Sequence, residues 1–215
     1  MEYDKAYSNT ENLFGTQPEK ILKNHIKMLS GIRPVLDIGA GQGRHALFLA
    51  RKGFIVDAID PSRVAIETLS NKAAKEKLHI RAHQCGFEDF VPQTDYYSGI
   101  AVFGLLQTLS WRSIGLLVDK IGRWTGPGTL IFVTTFTTAD PLYDHYAQTW
   151  TKIGKNSFSS DDGSIRTYFK PGEVLELFDP YETVHHWEGM GPRHRHGDGP
   201  LERHAKAEAV FLRRK

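Results

Sequence analysis

The stretch VLDIGAGQGRHALFLA, residues 35–50, decides the reading of the whole chain. It opens on an apolar run interrupted by Asp37, passes through glycines at 39, 41 and 43, and continues as RHALFLA with apolar residues at helical spacing. The run at 35–38 reads as a buried strand, and the residues from about Arg44 to Lys52 read as a helix. Glycine at three alternate positions removes every Cβ from the turn between them. A flat ligand can then lie against the backbone, and the first N–H groups of the helix can face an electronegative group. In an open parallel sheet, ligands sit at the carboxyl ends of the strands, where this turn lies.

Working outward, short branched apolar runs alternate with longer amphipathic stretches, the rhythm of crossover units in an α/β fold. Pro18 opens a first helix through Met28. Strands follow at 35–38, 54–59, 78–83, around 99–106, and from Thr129 after the Gly126-Pro127-Gly128 turn. Pro61 starts a helix with Val64, Ile66, Leu69 and Ala73 along one side, and another begins near Ser110. From Thr137 to Lys170 the pattern loosens into polar and aromatic sequence, too long for an ordinary connection, which predicts a substrate-facing insertion at 137–170. PGEVLELFD at 171–179 reads as a short helix begun by proline. YETVHHWEG (181–189) and HAKAEAVFLRR (204–214) alternate as strands and have no helix between them, so they form an antiparallel pair. The expectation is a doubly wound, mostly parallel seven-stranded sheet with an antiparallel C-terminal pair, in a single domain spanning 1–215.

Composition narrows the partners. With 27 Lys and Arg against 25 Asp and Glu, the formal charge is +2, which argues against a protein that coats nucleic acid. No window approaches eighteen apolar residues, and MEYDKAYSNTENLF has neither a basic region nor an apolar core, so neither a membrane span nor a secretory leader is expected. A cytoplasmic setting, a small-molecule partner, and a monomer or homodimer are expected. The single cysteine, Cys85, cannot form an internal disulfide and reads as a small hydrophobe rather than a nucleophile.

The glycine spacing separates two cofactor classes. A dinucleotide fingerprint needs G-x-G-x-x-G, and counting from Gly39 or Gly41 the third position is Arg44 or Ala46. Asp37 would also place a negative charge near a pyrophosphate. The pattern written here is D-x-G-x-G-x-G, and an acid two residues before the first glycine suits a ligand with a positive amine. S-adenosylmethionine has that amine, a sulfonium and no phosphate. Asp60, after the second strand, is suited to accept hydrogen bonds from both hydroxyls of a ribose, and it can also cap the helix that Pro61 opens.

At these residues the chain resembles the class I S-adenosylmethionine-dependent methyltransferases, whose Rossmann-like sheet matches the strand order read above. The resemblance implies that Asp37, Gly39, Ala40, Gly41 and Gly43 surround the methionine end of the cofactor, and that Asp60 with Pro61 meets the ribose. Family members commonly carry an acid after the third strand to hold the adenine amino group. Here that position aligns with Gly86, leaving Glu88 or Asp89 to supply the contact and Phe87 to offer a backbone N–H and an apolar edge. Phe103 and Gly104 would line the methionine end through backbone. DIGAGQGR, with FKPGE at 169–173 and the closing strand, looks like the tellurite-resistance branch, whose members methylate small soft nucleophiles.

Methyl transfer from a sulfonium is an in-line displacement, so positioning and water exclusion can carry it without an obligatory base. FGLLQTLSW follows the fourth strand where nucleic-acid amino-methylating enzymes carry Asn/Asp-Pro-Pro-aromatic. Gln107 and Trp111 would face the acceptor, and residues 1–30, with Tyr3 and Tyr7, would fold over the site as a cover; packing is the plainer role for all four. Arg44 is either paired with an acid or reserved for a carboxylate. Arg193, His194, Arg195 and His196 would draw an anionic acceptor to the rim, or form a solvated basic loop. No metal is expected, because no cysteine or carboxylate stands at regular ligand spacing beside these histidines. Two alternative readings stay open: an NAD(P)-dependent oxidoreductase, and a non-catalytic sensor that binds the cofactor or a metal.

Overall fold

The structure, a computed structural model, describes residues 2–92, 94–195 and 197–214, excluding the side chains of Glu2 and Tyr3. In chain order, helices α1 (Glu2–Asn9) and α2 (Lys20–His25) precede β1 (Val35–Ile38), α3 (Arg44–Arg51), β2 (Val56–Asp60), α4 (Arg63–Glu76) and β3 (Ile80–Gln84). Then come β4 (Tyr97–Phe103), α5 (Trp111–Trp124), β5 (Thr125–Phe136) and α6 (Tyr143–Thr149). Three short strands follow, β6 (Thr151–Gly154), β7 (Ser157–Ser159) and β8 (Ile165–Thr167), and α7 (Glu173–Leu177), β9 (Glu182–Met190) and β10 (Ala205–Leu212) close the chain. No described helix is long and apolar enough to cross a membrane.

Seven strands form one sheet in the order β3-β2-β1-β4-β5-β10-β9. β1 lies between β2 and β4, both parallel to it, with Val35 opposite Val56 on one side and Gly99 on the other. β10 runs antiparallel to both β5 and β9. β1, β2 and β4 are buried along their whole lengths, as strands covered on both faces must be, so even the acids they carry, Asp37, Asp57 and Asp60, lie out of solvent. α4 and α5 start where Ser62 and Ser110 accept from the N–H groups of Ala65 and Ser113. α5 buries Ile114, Leu117, Ile121 and Trp124 at helical spacing, and each such side chain contributes about 1.5–3 kcal/mol by leaving water.

Two departures from the sequence reading concern β5 and the insertion. The Gly126-Pro127-Gly128 segment belongs to β5, which begins at Thr125 and changes register against β4 between Tyr97 and Gly99. Residues 137–170 are ordered into α6 and a separate antiparallel sheet, β6-β7-β8. Tyr143 holds that unit together by edge-on contacts with Phe158 and Tyr168, at 5.8 and 5.3 Å between ring centroids. The Thr167 hydroxyl donates to Leu109 O at 2.6 Å, fastening the small sheet to the turn after β4.

A charge sits inside the main sheet. Asp57 on β2 is buried, takes a bidentate pair from Arg81 across the register of β3, and accepts from the Tyr97 hydroxyl at 2.7 Å. An apolar replacement at Tyr97 leaves the carboxylate short of one donor. Tyr97→Phe is therefore expected to lower unfolding free energy by about 1.5–3 kcal/mol in a urea titration, with an unchanged m-value.

Candidate functional site

The turn after β1 is held from below by the last carbonyl pairs of β2, since the N–H groups of Gly39 and Ala40 both donate to Ile59 O, at 2.9 and 3.0 Å. Gly39, Gly41 and Gly43 have φ of 72°, 53° and 88°, in the left-handed region that side chains rarely adopt. Space excludes side chains as well. A β-carbon at Gly43 would lie 2.2 Å from Leu69 of α4, and one at Gly41 would lie 2.8 Å from the Tyr7 hydroxyl of α1. Asp60 at the end of β2 clamps the turn, one carboxylate oxygen accepting from Gly41 N at 2.8 Å and the other from Ser62 N at 2.9 Å. Its pKa is raised, chiefly by burial.

Asp37 points into this turn from β1, 1% exposed, with Oδ2 buried and unpartnered among the described residues. Burial pushes its pKa up to about 7, against the opposing effects of the Ala46 N–H and the Arg44 charge. His45 on α3 is likewise buried with Nε2 unpartnered, and burial holds its pKa well below the usual imidazole range. Its ring stands 4.3 Å from that of Phe103, the last residue of β4, which packs on toward Phe132. Gln107, in the turn after β4, buries an unpartnered Oε1. Buried polar atoms left open cost about 1–3 kcal/mol each. Three of them stand on β1, on α3 that follows it, and in the turn after β4.

Beside the turn is an apolar cavity of about 180 Å³, lined among others by Gly39, Pro61, Gly86, Phe87, Glu88 and Leu105. Of the two acids left open by the sequence, Glu88 lines it and Asp89 does not. A β-carbon at Gly86 would lie 2.5 Å from Glu88 Oε2, so the carboxylate of residue 88 fills the space from which a side chain at 86 would grow. Cys85 lines the cavity too, with its thiol pKa pushed up by burial. Leu105 and Leu109 complete the wall; sequence reasoning passed over them, although both are apolar residues directly after the fourth strand.

α1 covers the turn, as the position of Tyr7 required. Gln42, which the sequence reading left without a role, is the latch: its amide donates to Thr10 O at 3.0 Å and to Tyr7 O at 3.4 Å, and its carbonyl accepts from Leu13 N at 2.9 Å. Ser62 adds a bond to Asp4 at 2.5 Å. The signal was a long amide placed between glycines. Tyr3 lies in α1, and its side chain falls outside the described residues.

Several candidate acceptor residues have partners within the protein. Arg44 takes the acid-paired one of its two expected roles: it pairs with Glu19 at 3.1 Å and donates to Phe14 O at 3.0 Å, and Lys206 holds Glu19 from the other side. The Trp111 indole N–H donates to Lys155 O and its ring packs at 5.0 Å on Phe169, the packing role weighed for it above. The described residues of the basic loop differ in their surroundings. Arg195 bonds to Gly199 O, His194 turns toward His204, Arg193 is exposed, and His196 falls outside the described residues.

Gly43→Ala forces both a left-handed alanine and a collision with Leu69. It is expected to lower the thermal midpoint by several degrees, whereas Gly41→Ala, which carries the left-handed backbone cost but meets only the movable Tyr7 hydroxyl, is expected to lower it less and to expose residues 4–14 to limited proteolysis.

Residues 35–128 match a family model described as a methyltransferase domain. The chain is 26% identical over 157 residues to hemagglutinin 1 of Eikenella corrodens, an alignment covering 73% of this chain and 49% of that protein, so the chain spans about half the length of that curated relative. TehB from Haemophilus influenzae superposes with a TM-score of 0.70 at 19% identity, over 91% of this chain and 62% of that one. The 1,6-didemethyltoxoflavin-N1-methyltransferase of Burkholderia thailandensis, solved with 1,6-didemethyltoxoflavin and S-adenosylhomocysteine, superposes at 0.65 and 17% identity, over 91% and 76%. The chain has a Rossmann-like fold shared with solved S-adenosylmethionine-dependent methyltransferases, and residues 35–128 match the methyltransferase-domain model.

Proposed function

We propose that the chain transfers a methyl group from S-adenosylmethionine to a small-molecule acceptor that is a soft nucleophile, a thiol or another chalcogen species. The observation that carries the reading is Asp37, a buried carboxylate with an open oxygen at a side-chain-free turn, where a cationic amine satisfies both its charge and its missing partner. A dinucleotide pyrophosphate at the same place would meet that charge as repulsion. The domain match and the fold shared with a structure holding S-adenosylhomocysteine support the choice of cofactor.

When bound, the cofactor supplies an activated methyl on a sulfonium. Asp37, once ionised, would hold the amine, Asp60 would accept from the ribose with the lone pairs that its two backbone bonds leave, and Glu88 with the Gly86–Phe87 backbone would take the base. Leu105 and Leu109 exclude water from the cavity wall, and α1 closes over the turn. Two groups that could act as bases beside the turn are held neutral. Burial keeps His45 neutral and weakly basic, and it keeps the Cys85 thiol protonated. An acceptor that arrives already anionic needs no base, which favours a thiolate or reduced chalcogen over an amine or alcohol. The β6-β7-β8 insertion, fastened to the turn after β4, is the segment proposed to face that acceptor.

Calorimetric titration is expected to show S-adenosylhomocysteine binding one to one, weakened about 10–100-fold at pH 8 in Asp37→Asn; no binding to the wild type would end this reading. The pH dependence carries a sign. Asp37 is protonated below about pH 7 in the ligand-free fold, so binding must expel that proton. Wild-type affinity is expected to fall by up to about tenfold per unit as pH drops below 7, while Asp37→Asn stays flat. Because the folded state keeps a proton that the unfolded chain loses near pH 4, ligand-free stability declines as pH rises from about 4 to 7. In a labelled-methyl screen, transfer to thiols, selenite or tellurite is expected, and transfer confined to amines would replace the acceptor class.

A further inference from the structure

We propose that His194, Glu202 and His204 form a binding site for a divalent transition-metal ion of the zinc class, with Asp140 orienting His204 from behind. Their ligating atoms lie within 4.8 Å of one another. The chain brings them together by pinching the loop before β10: His194 and Glu202 exchange backbone hydrogen bonds of 2.9 and 2.8 Å in an isolated antiparallel bridge, and His204 follows two residues on. This supplies the carboxylate that regular spacing along the sequence did not.

The tautomers are set by what faces each ring. Nδ1 of His204 lies 3.0 Å from Asp140 Oδ2, a fully buried oxygen that also accepts from Ala205 N. Nδ1 of His194 lies 3.2 Å from Pro192 O, which can only accept. In each neutral ring the proton is therefore on Nδ1 and the lone pair on Nε2. For His204, Nε2 lies 3.3 Å from Glu202 Oε2, a pair of atoms that a shared proton or a metal ion can bridge. A carboxylate behind a histidine whose other nitrogen points at further donors is the usual outer support of a metal-ligating imidazole.

Size and access also fit. Tetrahedral zinc with nitrogen and oxygen ligands sets its donors about 3.4 Å apart, a contraction of at most roughly 1.4 Å from the 4.8 Å limit here. The His204 side chain is 9% exposed and that of Glu202 is 33% exposed, giving a rigid inner ligand and an open entry side. Stacking on Phe136 at 4.4 Å fixes the His204 ring plane. Three protein ligands leave a fourth position for water or an anion. The site lies on the same edge of the sheet as the glycine turn, three strand spacings away, about 14 Å. Its existence does not depend on the methyl-transfer reading.

The competing occupant is a proton, which would make His204 an imidazolium between two carboxylates. Titration of the full, tag-free chain with cobalt(II) separates the two. One equivalent producing the visible absorption of a four- or five-coordinate ion, displaced by zinc, is expected, together with a zinc-dependent rise in thermal midpoint. His194→Ala and Glu202→Gln, both partly exposed, are expected to weaken zinc at least tenfold while the ligand-free midpoint stays close to wild type. His186→Ala, on β9, is expected to bind as wild type does. The proposal is overturned by a wild-type chain that shows neither the cobalt spectrum nor the zinc shift. It is equally overturned if His194→Ala and Glu202→Gln bind undiminished, or if His186→Ala loses binding as they do.

Discussion

Everything around the site depends on a turn that has no room for side chains. Leu69 of α4 presses on Gly43 and Tyr7 of α1 presses on Gly41, so helices on both sides approach the backbone as closely as van der Waals radii allow. That approach lets Asp60 reach the Gly41 N–H from the neighbouring strand, and it seals Asp37 from water. A buried carboxylate, an apolar cavity and a helix folded over them are three results of one steric condition.

Much of this was legible before any coordinates. β1 falls at 35–38 in both readings, because a strand covered on both faces leaves no polar residue to blur its ends except the one that serves the site. β2 begins two residues later than its apolar run suggests, since pairing starts with Val56 opposite Val35 and Ile55 remains half exposed. The insertion was not legible as structure. Its strands are three or four residues long and rich in Ser, Thr and Lys, and their order comes from aromatic contacts between residues ten or more apart, such as Tyr143 with Phe158.

The site shows the same division. Residue types announced what Asp37, the glycines and Asp60 can do, because a backbone turn leaves few other uses for them. Side-chain type alone did not announce direction. Arg44 stands at the turn, yet its charge is spent on Glu19, 25 residues earlier, and Trp111 is spent on the insertion. Glu202 and His194 are eight apart in a loop, a separation that means nothing until a bridge folds it.

The way α1 is fastened has a kinetic meaning. Its bonds run to Gln42 in the glycine turn and to Ser62 at the head of α4, so the lid is hooked onto the floor of the chamber that it closes. The bonds join one helix to two separate elements of the sheet's rim, so they break as a set when the helix lifts. Any influence that loosens the first helix therefore bares the glycine turn and the head of α4 at the same moment.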